Sequence, residues 1–287
     1  MLAIINTPIC PLKSAPEIQA QTPSRSCLED EVLLGMPVET TDAEQDGWVP
    51  VRTHYGYTGY VPANALVTGA AAAAWQGLPQ QVILHKHCAD VLAEPRVQGA
   101  FVESALPMGA RVAVNGTPDE NGWQAVTLPD GRCGYLCVSF LGQLWQQPCA
   151  QDPKTLRRAL TDTARLYLGT QYRWGGKTPA GIDCSGLCSM AYMLCGILIY
   201  RDAAIQEGFP IHRIPISEMR EGDLVYFPGH IAMYLGEGLY IHSTGRQGDN
   251  GVTINSFDPH SPLYRADLPQ KITAVGSWFS KPALPQE

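Results

Sequence analysis

The sequence predicts an α+β domain that follows two small all-β units. Two segments of the N-terminal half, residues 1–68 and 80–142, are rich in β-branched residues, prolines and glycines. From Thr155 onward the hydrophobic pattern takes the period of a helix, and it later changes to short β-type runs. A chain of 287 residues has room for one larger domain and two smaller ones.

The two N-terminal segments repeat one plan. Residues 47–51 (GWVPV) correspond to residues 122–126 (GWQAV), and the Gly-Tyr strand at residues 57–62 corresponds to residues 134–136. An Asx/Gly turn precedes each tryptophan strand. Two internally similar, short-stranded units of about 65 residues predict two small barrels.

These patterns divide the chain into five consecutive parts. We expect a first barrel, a helical connector built on an alanine run, a second barrel, a polar linker bounded by prolines, and the α+β domain. Their predicted bounds are 1–68, 69–79, 80–145, 146–154 and 155–287.

The most informative segment is residues 172–186, which read YRWGGKTPAGIDCSG. Its glycines and its Thr-Pro pair predict a tight loop that places Cys184 at the start of an apolar, helix-length segment, residues 187–199. The positive end of a helix dipole favours thiolate over thiol, so we predict Cys184 as a nucleophile. Cys188 and Cys195 lie on the same helical face, and we interpret them as buried apolar residues.

Two histidines follow on two β-type runs. The runs are joined by residues 236–238 (GEG), which predict a three-residue hairpin loop. Such a loop places His242 opposite Ala232, so His230 and His242 share one face as diagonal neighbours, roughly 7–8 Å apart. We therefore predict His230 as the general base for Cys184, and His242 as the residue that fixes its tautomer and orientation.

The sequence predicts neither a metal site nor a cofactor. Residues 85–88 (HKHC) have no second ligand pair at the spacing of a zinc site, and Cys133 and Cys137 make an equally poor pair. The remaining histidines are interpreted as structural: His54, His85, His87, His212 and His260.

Composition limits the partners and the compartment. A net charge of −7 argues against a nucleic-acid surface or an anionic membrane, and no apolar run approaches the ~18 residues of a membrane helix. The first residues show no signal-peptide pattern, and nine cysteines show no disulfide framework. We expect a cytoplasmic protein, although an exported one that had lost its leader would look the same.

Several motifs in the last 140 or so residues occur in a fixed order. They are Trp174-Gly175-Gly176, residues 183–186 (DCSG), Arg201-Asp202 followed by Gln206, Gly222-Asp223-Leu224, and the two histidines. With these motifs, residues 150–280 resemble the NlpC-type papain-like cysteine peptidases, which hydrolyse bacterial cell-wall peptides. The region is similar in particular to the subgroup that cleaves γ-D-glutamyl–diamino acid bonds in peptides starting with a free L-alanine. The resemblance implies an α+β papain-like catalytic domain, and the two N-terminal units resemble the small all-β, bacterial SH3-like barrels that commonly precede it.

The resemblance also implies substrate-binding residues. In this subgroup an acid and a tyrosine of the first barrel hold the α-amine of L-alanine. Tyr57 matches the tyrosine best, with Tyr60 and Tyr55 as alternatives, and Glu29 or Glu31 matches the acid.

Residues around the nucleophile complete the implied site. Asp183 and Ser185 would line the amine pocket, and Asp202 would bind the backbone or α-carboxyl side of D-glutamate. Trp174, in the glycine loop, is the remaining implied substrate contact.

The resemblance implies a peptidase that recycles tri- or tetrapeptides released from peptidoglycan. Muramic acid acylates the L-alanine amine in intact stems, so a closed amine pocket would exclude them. Two alternatives stay open: a wall-peptide-binding protein without catalysis, and an amidase or acyltransferase on the same scaffold. The choice between diaminopimelate and lysine, and the oligomeric state, also stay open.

Overall fold

The computed structural model describes residues 1–16 and 27–279. These residues form two compact units. The N-terminal unit comprises Met1–Leu144 with Thr178–Ala180, and the C-terminal unit comprises Trp145–Lys177 with the residues from Gly181 onward.

The N-terminal unit contains two seven-stranded antiparallel sheets. The first is formed by β1 (Leu2–Ile5), β2 (Ile9–Lys13), β3 (Leu28–Leu33), β4 (Pro37–Thr40), β5 (Trp48–Thr53), β6 (Thr58–Pro62) and β7 (Leu66–Thr68). The second is formed by β8 (Gln80–Ile83), β9 (Cys88–Leu92), β10 (Val102–Pro107), β11 (Arg111–Asn115), β12 (Trp123–Thr127), β13 (Cys133–Cys137) and β14 (Leu141–Gln143).

The two sheets share one strand order. They run β3-β2-β6-β5-β4-β1-β7 and β10-β9-β13-β12-β11-β8-β14, and a short 3-10 turn precedes the last strand of each, at Ala63–Ala65 and Val138–Phe140. The predicted internal similarity of the two segments is therefore confirmed at the level of topology.

The alanine run between the sheets is a helix, α1 (Gly69–Gln76), as its composition predicts. Trp75 and Ala72 of this helix share a buried cluster with Ile4 of the first sheet and Ala113 of the second. The Trp75 indole N–H also donates to the carbonyl of Thr127 at 3.3 Å. The connector thus packs against both sheets and is hydrogen-bonded to the second.

The two sheets approach each other closely at Gly35. Its φ is +80°, and a Cβ added there would lie 2.5 Å from the carbonyl oxygen of Arg111 and 2.9 Å from the Trp75 ring. The Arg111 N–H donates to the carbonyl of Leu34 at 2.8 Å, and Leu34 itself belongs to the buried core of the second sheet.

The C-terminal unit packs two helices on an antiparallel sheet, which is the predicted α+β arrangement. The helices are α2 (Pro153–Arg165) and α3 (Cys184–Leu194), and the sheet has the order β17-β22-β18-β19-β20-β21. Its strands are β17 (His212–Ile214), β18 (Leu224–Phe227), β19 (His230–Gly236), β20 (Leu239–Thr244), β21 (Gly251–Ser256) and β22 (Ala274–Ser277), and a two-stranded hairpin of β15 (Lys177–Thr178) and β16 (Gly181–Ile182) precedes α3. Single 3-10 turns lie at Ile216–Glu218 and Pro269–Lys271.

Asp223, of the predicted Gly-Asp-Leu motif, joins α2 to the sheet. It is fully buried, and it accepts hydrogen bonds from Arg157 of α2 at 2.9 Å and from the Ser277 hydroxyl of β22 at 2.7 Å. A buried carboxylate needs such partners, so the motif has a structural role at this position.

Both helix bounds differ from the sequence expectation. α2 begins at Pro153, because Asp152 caps it by accepting from the Thr155 N–H at 2.9 Å. α3 ends at Leu194 rather than near residue 199, since Gly196 adopts a φ of +83° that terminates the helix. Among the described residues, no helix combines the length and the apolar character needed to span a bilayer.

Gly35→Ala should destabilise the protein more than Gly47→Ala. Both glycines have φ near +80°, which costs an alanine roughly 1–2 kcal/mol, but a Cβ at Gly47 meets nothing within 4 Å. The clash with the Arg111 backbone should cost Gly35→Ala an additional ~1–3 kcal/mol in the free energy of unfolding, measured with urea. Equal losses for the two variants would show that the sheets do not approach closely at Gly35.

Candidate active site

Cys184 is the first residue of α3, as the sequence predicts. Asp183 is the N-cap, with extended backbone angles (φ −91°, ψ 179°), and its side chain accepts a hydrogen bond from the Gly186 N–H at 2.6 Å. The Cys184 side chain is buried, with 6% of its surface exposed. A single capped helix end therefore fixes the position of the thiol.

Asp183 also forms a buried ion pair with Arg201. The two guanidinium nitrogens Nη1 and Nη2 contact Oδ1 and Oδ2 of Asp183, each at 3.0 Å, and only 1% of Arg201 is exposed. Arg201 Nη1 also donates to the Ser185 hydroxyl at 2.8 Å, and the Gly175 N–H donates to Asp183 Oδ2 at 2.9 Å. The glycine loop and the start of α3 are thus held by one charged cluster.

The sequence did not indicate that Arg201 would contact Asp183. The motif resemblance includes Arg201-Asp202, but nothing in the spacing connects Arg201 with Asp183. The two sequence-predicted pocket residues, Asp183 and Ser185, both contact this arginine. About a tenth of the Asp183 side chain remains exposed.

The β19–β20 hairpin places both catalytic histidine candidates on one face. Met233 pairs with Ile241 and Tyr234 with Tyr240, and the same register continues to Ala232 opposite His242, as predicted. The predicted three-residue loop is wrong in detail. The turn has two residues, Glu237 and Gly238, both with positive φ, and the register shifts by one residue between Tyr234 and Gly236. The bulge adds back the residue that the shorter turn removes, so the register agrees.

The two histidines are hydrogen-bonded to each other. His230 Nε2 lies 2.7 Å from His242 Nδ1, and the ring centroids are 5.0 Å apart. The Cys184 sulfur is hydrogen-bonded by the backbone N–H of Ile231, the residue after His230. Since His230 uses Nε2 toward His242, its Nδ1 is the ring nitrogen left for the thiol.

Asn255 on β21 completes this chain, and sequence reasoning missed it. Its Oδ1 lies 2.9 Å from His242 Nε2, while its Nδ2 donates to the carbonyl of Leu263 at 3.2 Å. The Leu263 bond orients the amide, so Oδ1 must accept a proton from His242 Nε2. Neutral His242 then accepts at Nδ1, His230 donates from Nε2, and His230 Nδ1 carries the lone pair that a base needs. A lone asparagine in a β run gives no sequence signal of this role.

Burial makes both histidines neutral. It lowers the pKa of His230 to about 3, helped by His242, and it lowers the pKa of His242 to about 4, with Asn255 opposing. Neutral rings are what the hydrogen-bond chain through Asn255 requires.

Burial and Asp183 raise the pKa of the Cys184 thiol to about 11, although the N–H of Ile231 and Arg201 oppose them. Desolvation therefore outweighs the helix terminus, which favours the thiolate, at this buried position. With a pKa of about 11, the Cys184 thiol is protonated at neutral pH, so its proton must move when the sulfur attacks.

The remaining predicted contacts divide between the two units. In the C-terminal unit, Trp174 is 62% exposed, and the half-buried Asp202 hydrogen-bonds Tyr200. Tyr172, next to this loop, has its pKa raised to about 12 by burial and by the nearby Cys184 and Asp183.

In the N-terminal unit, Glu29 is half-buried on β3, and Tyr57 is half-buried in the turn before β6. The alternative tyrosine, Tyr55, is buried and donates to Asp30 at 2.5 Å. The alternative acid, Glu31, is buried.

The histidines interpreted as structural lie elsewhere. His54 Nε2 lies 2.7 Å from Arg111, His212 is on β17, and His85, His87 and His260 are exposed. Within residues 1–16 and 27–279, no group of three or more histidine, cysteine or acidic side chains is arranged to hold a metal ion.

Comparison with known proteins finds two matching family models and several relatives. The model of the NlpC/P60 family matches residues 169–265, and that of the bacterial dipeptidyl-peptidase SH3 domain matches residues 21–66. The chain is 42% identical, over 97% of its length, to the whole of dipeptidyl-peptidase 6 of Lysinibacillus sphaericus. It is 28% identical to the gamma-D-glutamyl-L-lysine dipeptidyl-peptidase of Bacillus cereus, over 75% of this chain and 67% of that one.

A solved structure supports the fold. The crystal structure of an NlpC/P60 family protein from Bacillus cereus matches with a TM-score of 0.77 at 22% identity, and the match covers 98% of this chain and 100% of that one.

Asn255→Asp should raise the pH below which the alkylation rate of Cys184 falls. A carboxylate beside His242 Nε2 raises the pKa of His242, whose value is about 4 in the native protein. Protonated His242 donates from Nδ1, so His230 must carry its proton on Nδ1 and loses its lone pair toward the thiol. The measurement is the iodoacetamide alkylation rate of the Cys184 peptide against pH, by mass spectrometry.

Asn115→Asp, which adds the same charge on β11, serves as the control and should leave the pH dependence of the alkylation rate unchanged at low pH. If the alkylation rate of Asn255→Asp fell at the same low pH as that of the native protein, the tautomer assignment would be contradicted.

The free energy of unfolding should fall as the pH falls from about 6.5 toward 4. The unfolded chain binds protons on His230 and His242 near pH 6.5, whereas the folded chain takes them up only near pH 3 and 4. His242→Gln should flatten this dependence by an amount on the order of 1–3 kcal/mol. Replacing the exposed His260 with glutamine is the control. An equal slope for native protein and His242→Gln in urea titrations would refute the assignment.

Proposed function

The chain belongs to the NlpC/P60 family of cysteine peptidases, and on that basis we propose that it hydrolyses the bond between γ-D-glutamate and a diamino acid in peptidoglycan stem peptides. The observation that carries the proposal is the hydrogen-bond chain from Asn255 through His242 to His230, whose chain neighbour Ile231 donates its backbone N–H to the buried Cys184 sulfur. Two relatives bear the name gamma-D-glutamyl-L-lysine dipeptidyl-peptidase, which supports this bond class.

Each step of the reaction has a residue suited to it. The Cys184 thiol passes its proton to His230 Nδ1 as its sulfur attacks the side-chain carbonyl of D-glutamate. His230, now charged, donates that proton to the departing amine of the diamino acid, and it then activates the water that hydrolyses the acyl-enzyme. The backbone N–H of Cys184, at the start of α3, is a donor for the tetrahedral oxyanion.

The neutral resting state has a role in this scheme. A buried thiol with a pKa of about 11 is a weak nucleophile by itself. The proton transfer to His230 creates an ion pair, which is stabilised only when the substrate carbonyl accepts the sulfur and the oxyanion forms. The reactive thiolate therefore arises with bound substrate rather than before it.

A free L-alanine at the peptide terminus is the second part of the proposal. Tyr57 and Glu29 of the matched SH3 domain are the candidates for holding the α-amine. In the catalytic domain, Asp183 and Ser185 are the candidates next to the nucleophile. Tyr57 is half-buried whereas Tyr55 is buried, and this difference in accessibility favours Tyr57 over Tyr55. Glu29 is more accessible than the buried Glu31, which favours Glu29 as the acid.

Trp174 and Asp202 would contact the D-glutamyl part of the substrate. Trp174 exposes 62% of its surface, as an aromatic platform for a ligand would. The half-buried Asp202 would act near the α-carboxyl side through the backbone of the peptide rather than by direct charge pairing, since two carboxylates repel.

This substrate choice suits a peptide-recycling enzyme of the cytoplasm. Muramic acid blocks the L-alanine amine of intact stems, so the proposed pocket admits only released tri- or tetrapeptides. The net charge of −7 disfavours nucleic acid and anionic membranes as partners. No cofactor takes part in the steps above.

The repeated strand order supports a second SH3-like domain beside the one that the family model matches. We place it at residues 80–145, with the linker at 146–154 and the catalytic domain at 155–287.

Hydrolysis of free L-Ala-γ-D-Glu-diaminopimelate should release the dipeptide L-Ala-D-Glu, whereas the same peptide with an acetylated amine should remain intact. Mass spectrometry of the products under reducing conditions measures this, with Cys184→Ser as the inactive control. Equal cleavage of both peptides would contradict the amine pocket while retaining the peptidase. No cleavage of either, by protein with a reactive Cys184, would favour a binding protein, and transfer products would favour an acyltransferase.

A further inference from the structure

Two cysteines outside the catalytic centre lie against each other. Cys149 precedes α2, and Cys195 is the C-cap residue of α3. The backbone N–H of Cys149 donates to the carbonyl of Cys195 at 3.0 Å, and the two free thiols lie within hydrogen-bonding reach of each other. We propose that Cys149 and Cys195 are a thiol-oxidation site that closes to an intramolecular disulfide with little movement of the backbone.

The surrounding packing holds the pair in place. Gly196 has a φ of +83°, and a Cβ added there would meet the carbonyl of Gln147 and lie 2.9 Å from Trp145 Cβ. The Thr163 hydroxyl lies 3.5 Å from the Cys195 sulfur. The direct backbone hydrogen bond from Cys149 to Cys195 keeps the two Cα atoms close together, and a disulfide needs them about 4.4–6.8 Å apart.

The different exposure of the two thiols sets the order of events. Cys149 is partly exposed, whereas Cys195 is only 3% exposed. A low-molecular-weight disulfide therefore reacts first with the Cys149 thiolate, which forms a mixed disulfide and releases one small thiol. Cys195 then gives its proton to water and attacks the Cys149 sulfur, which expels the second small thiol. Two protein thiols are oxidised and one reagent disulfide is reduced to two thiols.

The second step is the slow one at neutral pH. Burial raises the pKa of Cys195 to about 12, although the Thr163 hydroxyl opposes this shift. The thiolate that must attack is scarce at pH 7 and becomes tenfold more abundant with each unit of pH. Closure should therefore accelerate by about tenfold from pH 7 to pH 8.

The disulfide would cross-link the C-terminal unit at a distance from the nucleophile Cys184. It closes a loop of residues 149–195, which contains α2 and α3. Cys184 begins the 11-residue helix that Cys195 ends, so the two sites are roughly 15 Å apart along its axis. The bond would stabilise the fold mainly by restricting the unfolded chain.

The test uses the full chain with Cys184→Ala, so that the nucleophile does not consume the reagent. After incubation with oxidised glutathione and acid quenching, peptide mapping without reduction should show the Cys149 and Cys195 peptides linked. Cys149→Ser in the same background should abolish the link and leave Cys195 unmodified. Persistent glutathione on Cys149 with Cys195 still free, or a link from Cys149 to another cysteine, would overturn the proposal.

Thermal unfolding supplies a second readout. The oxidised protein should unfold at a midpoint about 5 °C higher than the reduced protein, a reducing agent should reverse the gain, and Cys149→Ser should lack it. A linked pair with a lowered midpoint would show that closure strains the backbone, which contradicts the proposed geometry.

Discussion

The buried ion pair between Asp183 and Arg201 is the interaction on which the site depends. Asp183 accepts from the backbone of Gly175 and Gly186 as well as from Arg201, so one carboxylate connects the glycine loop, the helix start and the distant arginine. Removing one partner of such a buried pair typically costs 3–5 kcal/mol, because the other charge remains buried alone. The same pair acts on Cys184 electrostatically, since Asp183 raises the pKa of the thiol and Arg201 lowers it.

The sheet supplies the second half of the chemistry by a different principle. Burial makes His230 and His242 neutral, and neutral buried rings need hydrogen-bond partners with a defined direction. The bond from Asn255 to the Leu263 carbonyl fixes that direction, and the two histidines transmit it to the face near the thiol. The nitrogen of His230 that can accept the thiol proton, Nδ1, is therefore set before any substrate binds. Helix capping places the nucleophile, and sheet register places its base.

The two sheets of the N-terminal unit depend on each other. Leu34 follows the last residue of β3, yet it packs in the core of the second sheet, and Trp75 of α1 contacts both. Without the second sheet, the first would expose Leu34 and one side of Trp75 to water. The second repeat therefore supports the first, to which the SH3 family model matches, by burying apolar surface.

The sequence by itself determined the features that local signals encode. These include the internal repeat, the placement of Cys184 at a helix start and the histidine register, because turns, glycines and hydrophobic period act within a few residues. The histidine register agreed even though a two-residue turn and a bulge replaced the expected loop. Only the tertiary structure decided that Arg201 pairs with Asp183, that Asn255 directs the histidines, and that the resting thiol is protonated. Each of these depends on burial and on contacts between segments that are distant in the chain. A local sequence pattern does not show which distant segments will meet or how deeply they will be buried.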